Sequence, residues 1–185
     1  MDKKFIPIII SDVDGVLSGK QFLCDVNGKT HKIFGCGDKE GIVMLQQSGW
    51  EIIFVSSDKS GYPIVEKRVS HLKCKCQELS SNFRDEYVQR VRNQGYWPIV
   101  YIGDSVSDVP ALKCADISFV PNDARIEAKR SSTFVVKSNS ASGVFGDVAA
   151  ILLDMYDYTN NKLKDQINGF LEDYIDSSFY KIKEA

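Results

Sequence analysis

The sequence predicts an α/β fold, a three-layer Rossmann-like parallel sheet with helices on both faces and a β-hairpin inserted after the first strand. Short apolar runs such as Phe5 to Ile10 alternate with amphipathic segments, which is the pattern of strands buried on both faces of a parallel sheet. The Asn27-Gly28 dipeptide between two short runs predicts the hairpin, at about residues 21–34. Polar motifs follow directly after several apolar runs, where sheets of this kind bind their ligands.

The remaining elements follow from hydrophobic spacing and from glycine stop signals. Gly49 and Gly95 end two helical patterns, and Val65 and Val69 lie on one face of another. After the hairpin we predict helices over 39–48, 60–72, 84–93, 107–113 and 143–156, and strands over 50–55, 99–102, 117–120 and 133–136.

Length and composition indicate one soluble globular domain. Of 185 residues, 43% are hydrophobic and 26% are charged, which is ordinary for such a protein. We expect residues 1–158 to form the domain and residues 159–185 to add an amphipathic C-terminal helix. A net charge of −2 without a long basic run argues against nucleic-acid binding, and the apolar run near the start is too short to span a membrane. We therefore expect a cytoplasmic protein with neither nucleic acid nor membrane as partner.

The five cysteines give no framework for a fold. Their number is odd, and the spacing of Cys74 and Cys76 does not match that of a zinc site. We interpret them as buried or incidental thiols, with a redox or metal role as the alternative.

The strongest candidate site begins at Asp12. Asp12 and Asp14 follow a buried strand two residues apart, so their carboxylates point to the same side, where one can attack while the other handles protons. Gly15 permits a sharp exit from the strand. A solvated turn or a calcium loop would also use this pattern, but Lys20 and Gln21 do not supply the further oxygen ligands that calcium needs.

A second pair of carboxylates follows another strand. Asp104 and Asp108 come directly after the apolar run Ile99 to Ile102, behind a glycine. Asp104 and Asp12 are expected to meet at neighbouring strand ends, where they can hold a hard dication. Mg²⁺ suits this site because it accepts few carboxylates and keeps waters that a substrate phosphate can replace.

A third, weaker motif contains Ser56. It follows the predicted strand over 50–55 and precedes a helix, so its hydroxyl and the free backbone N–H groups can bind a phosphate oxygen. The alternative is that Ser56 is an ordinary turn or cap residue.

Together, and in this order, the motifs resemble those of the haloacid dehalogenase superfamily. The resemblance implies that Asp12 is the nucleophile and that Asp14 acts as acid and then base, with its backbone carbonyl binding Mg²⁺. It also implies that the Ser56 hydroxyl binds phosphate, that Asp104 is a metal ligand and that Asp108 orders the metal or its water.

The resemblance narrows to the capless branch, because about forty residues with a hairpin separate the first two motifs. This branch includes phosphatases of 3-deoxy-octulosonate 8-phosphate and of nonulosonate 9-phosphates. It implies substrate contacts for Ser57, Asp58 and Lys59, with Asp58 nearer to the nine-carbon type. Arg84 stands where the family usually has lysine, and it keeps the charge. The alternative is that Arg84 is a solvated residue at a helix start.

The resemblance thus implies a magnesium-dependent phosphatase that cleaves a sugar-acid phosphate through an aspartyl-phosphate intermediate. It also implies a homotetramer in which the hairpin packs on neighbouring subunits. The alternative is a catalytically weak or inactive domain that serves oligomerisation, like the C-terminal domain of sialic-acid-activating enzymes.

Overall fold

A computed structural model describes residues 6–155 of the chain. Its strands are β1 (Ile6–Asp12), β2 (Ser18–Asp25), β3 (Gly28–Phe34), β4 (Glu51–Ser56), β5 (Lys75–Glu78), β6 (Tyr96–Ile102), β7 (Ile117–Val120) and β8 (Phe134–Val135). Its helices are α1 (Asp38–Gln47), α2 (Tyr62–His71), α3 (Arg84–Asn93), α4 (Val109–Cys114), α5 (Ile126–Arg130) and α6 (Val144–Met155), with 3₁₀ helices at Ser81–Phe83 and Val106–Asp108. The predicted C-terminal helix within residues 159–185 lies outside the described residues.

Six parallel strands form the main sheet in the order β5-β4-β1-β6-β7-β8. Apolar side chains of α1, α2 and α6 cover one face, and those of α3, α4 and α5 cover the other. Strand β1 lies at the centre, where Ile9 faces the first layer while Ile8 and Ile10 face the second. The predicted three-layer α/β fold is confirmed.

One strand and one α-helix were not predicted from the sequence. Strand β5 is a four-residue edge strand with polar and half-buried side chains, so it shows no apolar run. Helix α5 has five residues and buries only Ala128. Elements this short and this polar give no hydrophobic period to recognise.

The hairpin β2–β3 forms a separate two-stranded antiparallel sheet. It leaves four large apolar side chains exposed, at Phe22, Leu23, Val26 and Ile33. An isolated hairpin is marginally stable in water, so these side chains are a natural contact surface. Within the described residues, no helix is long and apolar enough to cross a membrane.

Helices α1 and α6 pack closely because α1 contains a glycine. Gly41 is buried, and a Cβ atom at this position would collide with the carbonyl oxygen of Phe145. The Asp38 carboxylate at the start of α1 accepts a hydrogen bond from the Phe145 backbone N–H at 3.0 Å. This contact fixes α6 against the segment that joins the hairpin to the sheet.

Gly41→Ala is expected to destabilise the fold, although alanine is the better helix former. The added methyl group would force the two helices apart, and overpacking of this kind costs about 2 kcal/mol. Urea denaturation of both proteins measures the free energy of unfolding.

Gly146→Ala in α6 is the matched control. A Cβ atom there would lie 3.9 Å from the nearest backbone oxygen, that of Gly37, which is an ordinary contact. It should raise the free energy of unfolding by about 0.5–1 kcal/mol. Equal effects of the two alanines would contradict the packing described for Gly41.

Candidate active site

The candidate site lies where the carboxyl ends of β1, β4 and β6 meet. Asp12 is the last residue of β1 and pairs in register with Val55 of β4, next to Ser56. Asp104 follows the end of β6 by two residues. The chain runs outward from β1 through β4 to β5 and then returns to β6 on the other side, so Asp12 lies at the topological switch point where such sheets bind ligands.

The loop after β1 turns sharply, so that the carboxylate of Asp104, which follows β6, can lie beside it. Gly15 has φ +90°, a conformation that glycine adopts without a steric penalty. A Cβ atom at Gly15 would also collide with the Asp104 carboxylate. Glycine at this position therefore allows the two loops to approach each other.

Three buried carboxylates converge here. Oxygen atoms of Asp12, Asp104 and Asp108 lie within 4.8 Å of one another. All three residues belong to the set predicted from the two carboxylate motifs. Like charges this close in a buried place repel strongly, so cations stabilise the cluster.

Arg84 supplies one of these cations. Its guanidinium donates to Asp12 Oδ1 at 2.8 Å and to Asp108 Oδ1, and its side chain is only 4% exposed. Burial lowers the pKa of Arg84, but Asp12, Tyr101 and Asp108 hold it above its ordinary value. Although Arg84 begins α3, it is not the solvated residue of the alternative interpretation.

Asp108 is held by many donors. Its Oδ2 accepts hydrogen bonds from the backbone N–H groups of Asp104 and Ser105 and from the Ser105 hydroxyl. Its Oδ1 accepts from Arg84 and, at 2.7 Å, from the Tyr101 hydroxyl. Both oxygens are thus engaged, which fits a side chain that orders the loop and the cluster.

The electrostatics of the cluster suit a divalent cation. Burial raises the pKa of Asp12 well above its ordinary value, Arg84 lowers it, and Asp108 and Asp104 raise it again. Burial raises the pKa of Asp104 to about 6, although Lys20 lowers it. A hard dication with oxygen ligands would offset the excess negative charge, so these residues fit Mg²⁺.

Asp14 lies beside this cluster rather than in it. Lys32 Nζ contacts its two carboxylate oxygens at 2.6 and 2.7 Å. The Ser18 hydroxyl donates to Oδ1 at 3.1 Å, and the Ser56 hydroxyl lies 3.4 Å from Oδ2. The carboxylate of Asp14 therefore contacts Lys32 and two hydroxyl groups rather than the three clustered carboxylates.

The other predicted residues after β4 have different environments. Asp58 forms ion pairs with Lys29 at 2.7 Å and Lys32 at 2.8 Å, and its pKa lies below the ordinary value because these hydrogen bonds outweigh burial. Ser57 and Lys59 are exposed. Lys59 forms no ion pair with a described residue, so the structure does not bring it to the carboxylates.

Sequence analysis missed three lysines of the hairpin. Lys20 Nζ lies 3.3 Å from Asp104 and 3.6 Å from Asp123, while Lys29 and Lys32 bind Asp58. These lysines lie at separate positions of the two strands, and no spacing along the chain marks them as partners of the carboxylates.

Comparisons with known proteins find relatives of similar sequence and fold, although no family model matches the chain. The chain is 29% identical over 170 residues to the 3-deoxy-D-manno-octulosonate 8-phosphate phosphatase of Haemophilus influenzae, covering 90% of this chain and 92% of that protein. A cobalt-bound structure of that phosphatase from the same organism has a TM-score of 0.74 at 28% identity and covers 90% of this chain and 96% of the other.

A second relative is of a different kind. The N-acylneuraminate cytidylyltransferase of Oncorhynchus mykiss is 24% identical over 158 residues. The match covers 83% of this chain but only 37% of that protein. The similarity therefore concerns one part of a longer protein.

Arg84→Ala is expected to destabilise the fold in the absence of added metal. It would leave the buried carboxylates of Asp12 and Asp108 without their cation, and breaking a buried ion pair costs about 3 kcal/mol. If Arg84 were an ordinary residue at a helix start, the stability would be equal or higher, since a positive charge there is unfavourable. Urea denaturation distinguishes the two results.

Arg92→Ala is the matched control in the same helix. Arg92 pairs with Asp116 at 2.7 Å, but both side chains are partly exposed. Its loss should cost about 1 kcal/mol or less. A cost for Arg84→Ala no larger than this would contradict the buried ion pairs.

Proposed function

We propose that this chain, which resembles the haloacid dehalogenase phosphatases in sequence and fold, is a phosphomonoester hydrolase that acts on a sugar-acid phosphate with Mg²⁺ as cofactor. The observation that carries the proposal is the buried cluster of Asp12, Asp104 and Asp108 at the switch point, with Arg84 bridging two of them. An isolated acidic patch would not need a buried guanidinium, whereas a phosphoryl-transfer site needs both charges.

In the proposed first step, Asp12 attacks phosphorus. One oxygen of its carboxylate, Oδ1, accepts hydrogen bonds from Val13 N and Arg84, so Oδ2 is the oxygen proposed to attack. The bond between phosphorus and the sugar oxygen breaks, and Asp14 gives its proton to that oxygen. The products of this step are the free sugar acid and a phosphorylated Asp12.

In the second step, Asp14 removes a proton from water as the water attacks phosphorus. The bond between phosphorus and Asp12 breaks, and inorganic phosphate leaves. Asp14 is then protonated again for the next cycle, so one carboxyl group acts as acid and then as base.

The cofactor would be held by Asp12, Asp104 and the backbone carbonyl of Asp14, with Asp108 ordering the loop around it. Bound there, Mg²⁺ supplies positive charge that offsets the charge of the phosphoryl oxygens. Arg84 and the Ser56 hydroxyl are proposed to contact the same oxygens.

One comparison and one residue bear on the substrate. The relative from Haemophilus influenzae is a phosphatase of an eight-carbon sugar-acid phosphate and matches this chain over almost its whole length. Asp58 argues for the nine-carbon class, because an acid replaces the arginine expected in eight-carbon enzymes. We propose that Ser57, Asp58 and Lys59, in the loop between β4 and α2, contact the sugar acid.

The second candidate function is an assembly domain without catalysis, which the match to part of a cytidylyltransferase favours. The intact carboxylates and the buried Arg84 favour the enzyme. An assembly domain has no use for a charge cluster that costs desolvation energy.

Asp12→Asn is expected to lower turnover by about 10³-fold or more, because an amide of equal size cannot act as the nucleophile. Phosphate release from 3-deoxy-octulosonate 8-phosphate and nonulosonate 9-phosphates measures this, with and without Mg²⁺. Removal of metal with a chelator should abolish wild-type activity, and added Mg²⁺ should restore it.

Asp154→Asn is the control, since Asp154 is exposed on α6, and it should leave turnover unchanged. Full activity of Asp12→Asn would exclude the covalent mechanism. A wild-type protein that releases no phosphate from any of these compounds would favour the assembly domain.

We also propose a cytoplasmic homotetramer in which the hairpin packs on neighbouring subunits. The exposed side chains of Phe22, Leu23, Val26 and Ile33 support the assembly. All five cysteines are free, as expected in a reducing compartment.

Light scattering is expected to give a mass about four times the chain mass of 20.8 kDa. Leu23→Asp should yield smaller species, because it introduces a charge into the apolar contact. The control is Gln21→Asp, an exposed polar position on the same strand that should keep the assembly. A monomeric wild type with full activity would exclude the assembly.

A further inference from the structure

Lys32 is a buried cation on a hairpin that is otherwise largely exposed. Only 1% of its side chain is accessible to solvent. Its ammonium contacts three carboxylate oxygens, both of Asp14 and Oδ2 of Asp58, at 2.6 to 2.8 Å. An ammonium has three N–H donors, so these contacts use all of them. A solvated surface lysine would have neither this burial nor these partners.

These contacts immobilise the carboxylate of Asp14. Each oxygen of Asp14 faces Lys32 and one hydroxyl, that of Ser18 for Oδ1 and that of Ser56 for Oδ2. Ser18 and Ser56 are themselves fully buried. Lys32 is the one cation among these three donors, so it alone brings an opposite charge to the carboxylate, and it contacts both oxygens.

Asp58 anchors Lys32 from the other side. Its carboxylate also accepts from Lys29 at 2.7 Å and from the backbone N–H of Gly61 at 3.2 Å, so it joins strand β3 to the start of α2. The space for this arrangement comes from Gly61. A Cβ atom there would lie 2.6 Å from Lys32 Cε and would collide with the Asp58 carboxylate.

We propose that Lys32 is a positioning residue for Asp14 and that Asp58 holds Lys32 in place, a role that rests on the proposed function. The hairpin thereby takes part in leaving-group protonation without touching the phosphoryl group. Lys32 directs the Asp14 carboxyl group toward the oxygen of the leaving sugar. Loss of Lys32 should therefore lower kcat/KM most for substrates whose leaving group must be protonated.

The test compares two substrates that differ in this need. A sugar alkoxide is a poor leaving group and requires protonation, whereas p-nitrophenoxide leaves without it. The value of kcat/KM reports the steps up to the first irreversible one, here the transfer to Asp12. We expect Lys32→Met to lower kcat/KM by about 10²-fold for the alkyl phosphate that the wild type cleaves fastest, as for the loss of general-acid catalysis. The loss for p-nitrophenyl phosphate should be several-fold at most.

Two further variants separate positioning from mere structural support. Lys29→Met removes the same charge from the same strand, but Lys29 contacts Asp58 and not Asp14, so its losses should be equal for both substrates. Asp58→Asn keeps Lys32 and should show the selective loss in a weaker form, measured with a simple alkyl phosphate such as ethyl phosphate, which has no sugar acid for Asp58 to contact. It also tests the proposal if Lys32→Met does not fold. Asp14→Asn gives the full selective loss for reference.

The outcomes distinguish the proposal from the proposed function. Equal losses for the two substrates in Lys32→Met, with selective loss in Asp14→Asn, would overturn the positioning role and leave the phosphatase intact. No selective loss in Asp58→Asn would overturn the anchoring role. A wild-type protein that cleaves no alkyl phosphate would overturn both the function and the inference drawn from it.

Discussion

The two ion pairs of the buried Arg84 guanidinium are the interaction on which the site depends. The sheet brings Asp12 and Asp108 together because the ends of adjacent parallel strands meet, and their mutual repulsion would otherwise oppose folding. Arg84 can enter the cluster because α3 begins beside it and packs on the sheet through Val88 and Val91. Helix α3 therefore places one cation between the carboxylate at the end of the central strand and that of Asp108, which follows β6.

This geometry gives a physical reason for arginine where the superfamily that the sequence resembles usually has lysine. A guanidinium carries separate N–H groups in a planar fork, and here one reaches Asp12 while another reaches Asp108. An ammonium is a compact point charge on a flexible stem and would favour one partner at a time. The fork thus couples the proposed nucleophile to the loop after β6, which Asp108 orders through Ser105 and Tyr101.

The sequence predicted the elements correctly where a strand, or one face of a helix, carried a local pattern. Apolar runs identified β1, β4, β6 and β7, and the polar residues directly after the first three identified the carboxylates and Ser56. Strand β5 and helix α5 were not predicted because they are short and bury few side chains. Lys32 was not identified for another reason. Its role depends on how the hairpin folds back over β1 and α2, and no spacing along the chain indicates that arrangement.

The hairpin both contacts the candidate site and exposes apolar side chains. Through Lys29 and Lys32 it is tied to Asp58 and to Asp14, while Leu23 and Val26 remain exposed. Lys29 Nζ also lies 4.3 Å from the centre of the Phe22 ring, so the charged contacts and the apolar surface share a side-chain contact. A neighbouring subunit that covers the apolar surface would therefore restrict the motion of the strands that hold Lys32. The proposed assembly and the proposed positioning of Asp14 then depend on the same two strands. The hairpin couples assembly to positioning without a separate cap domain.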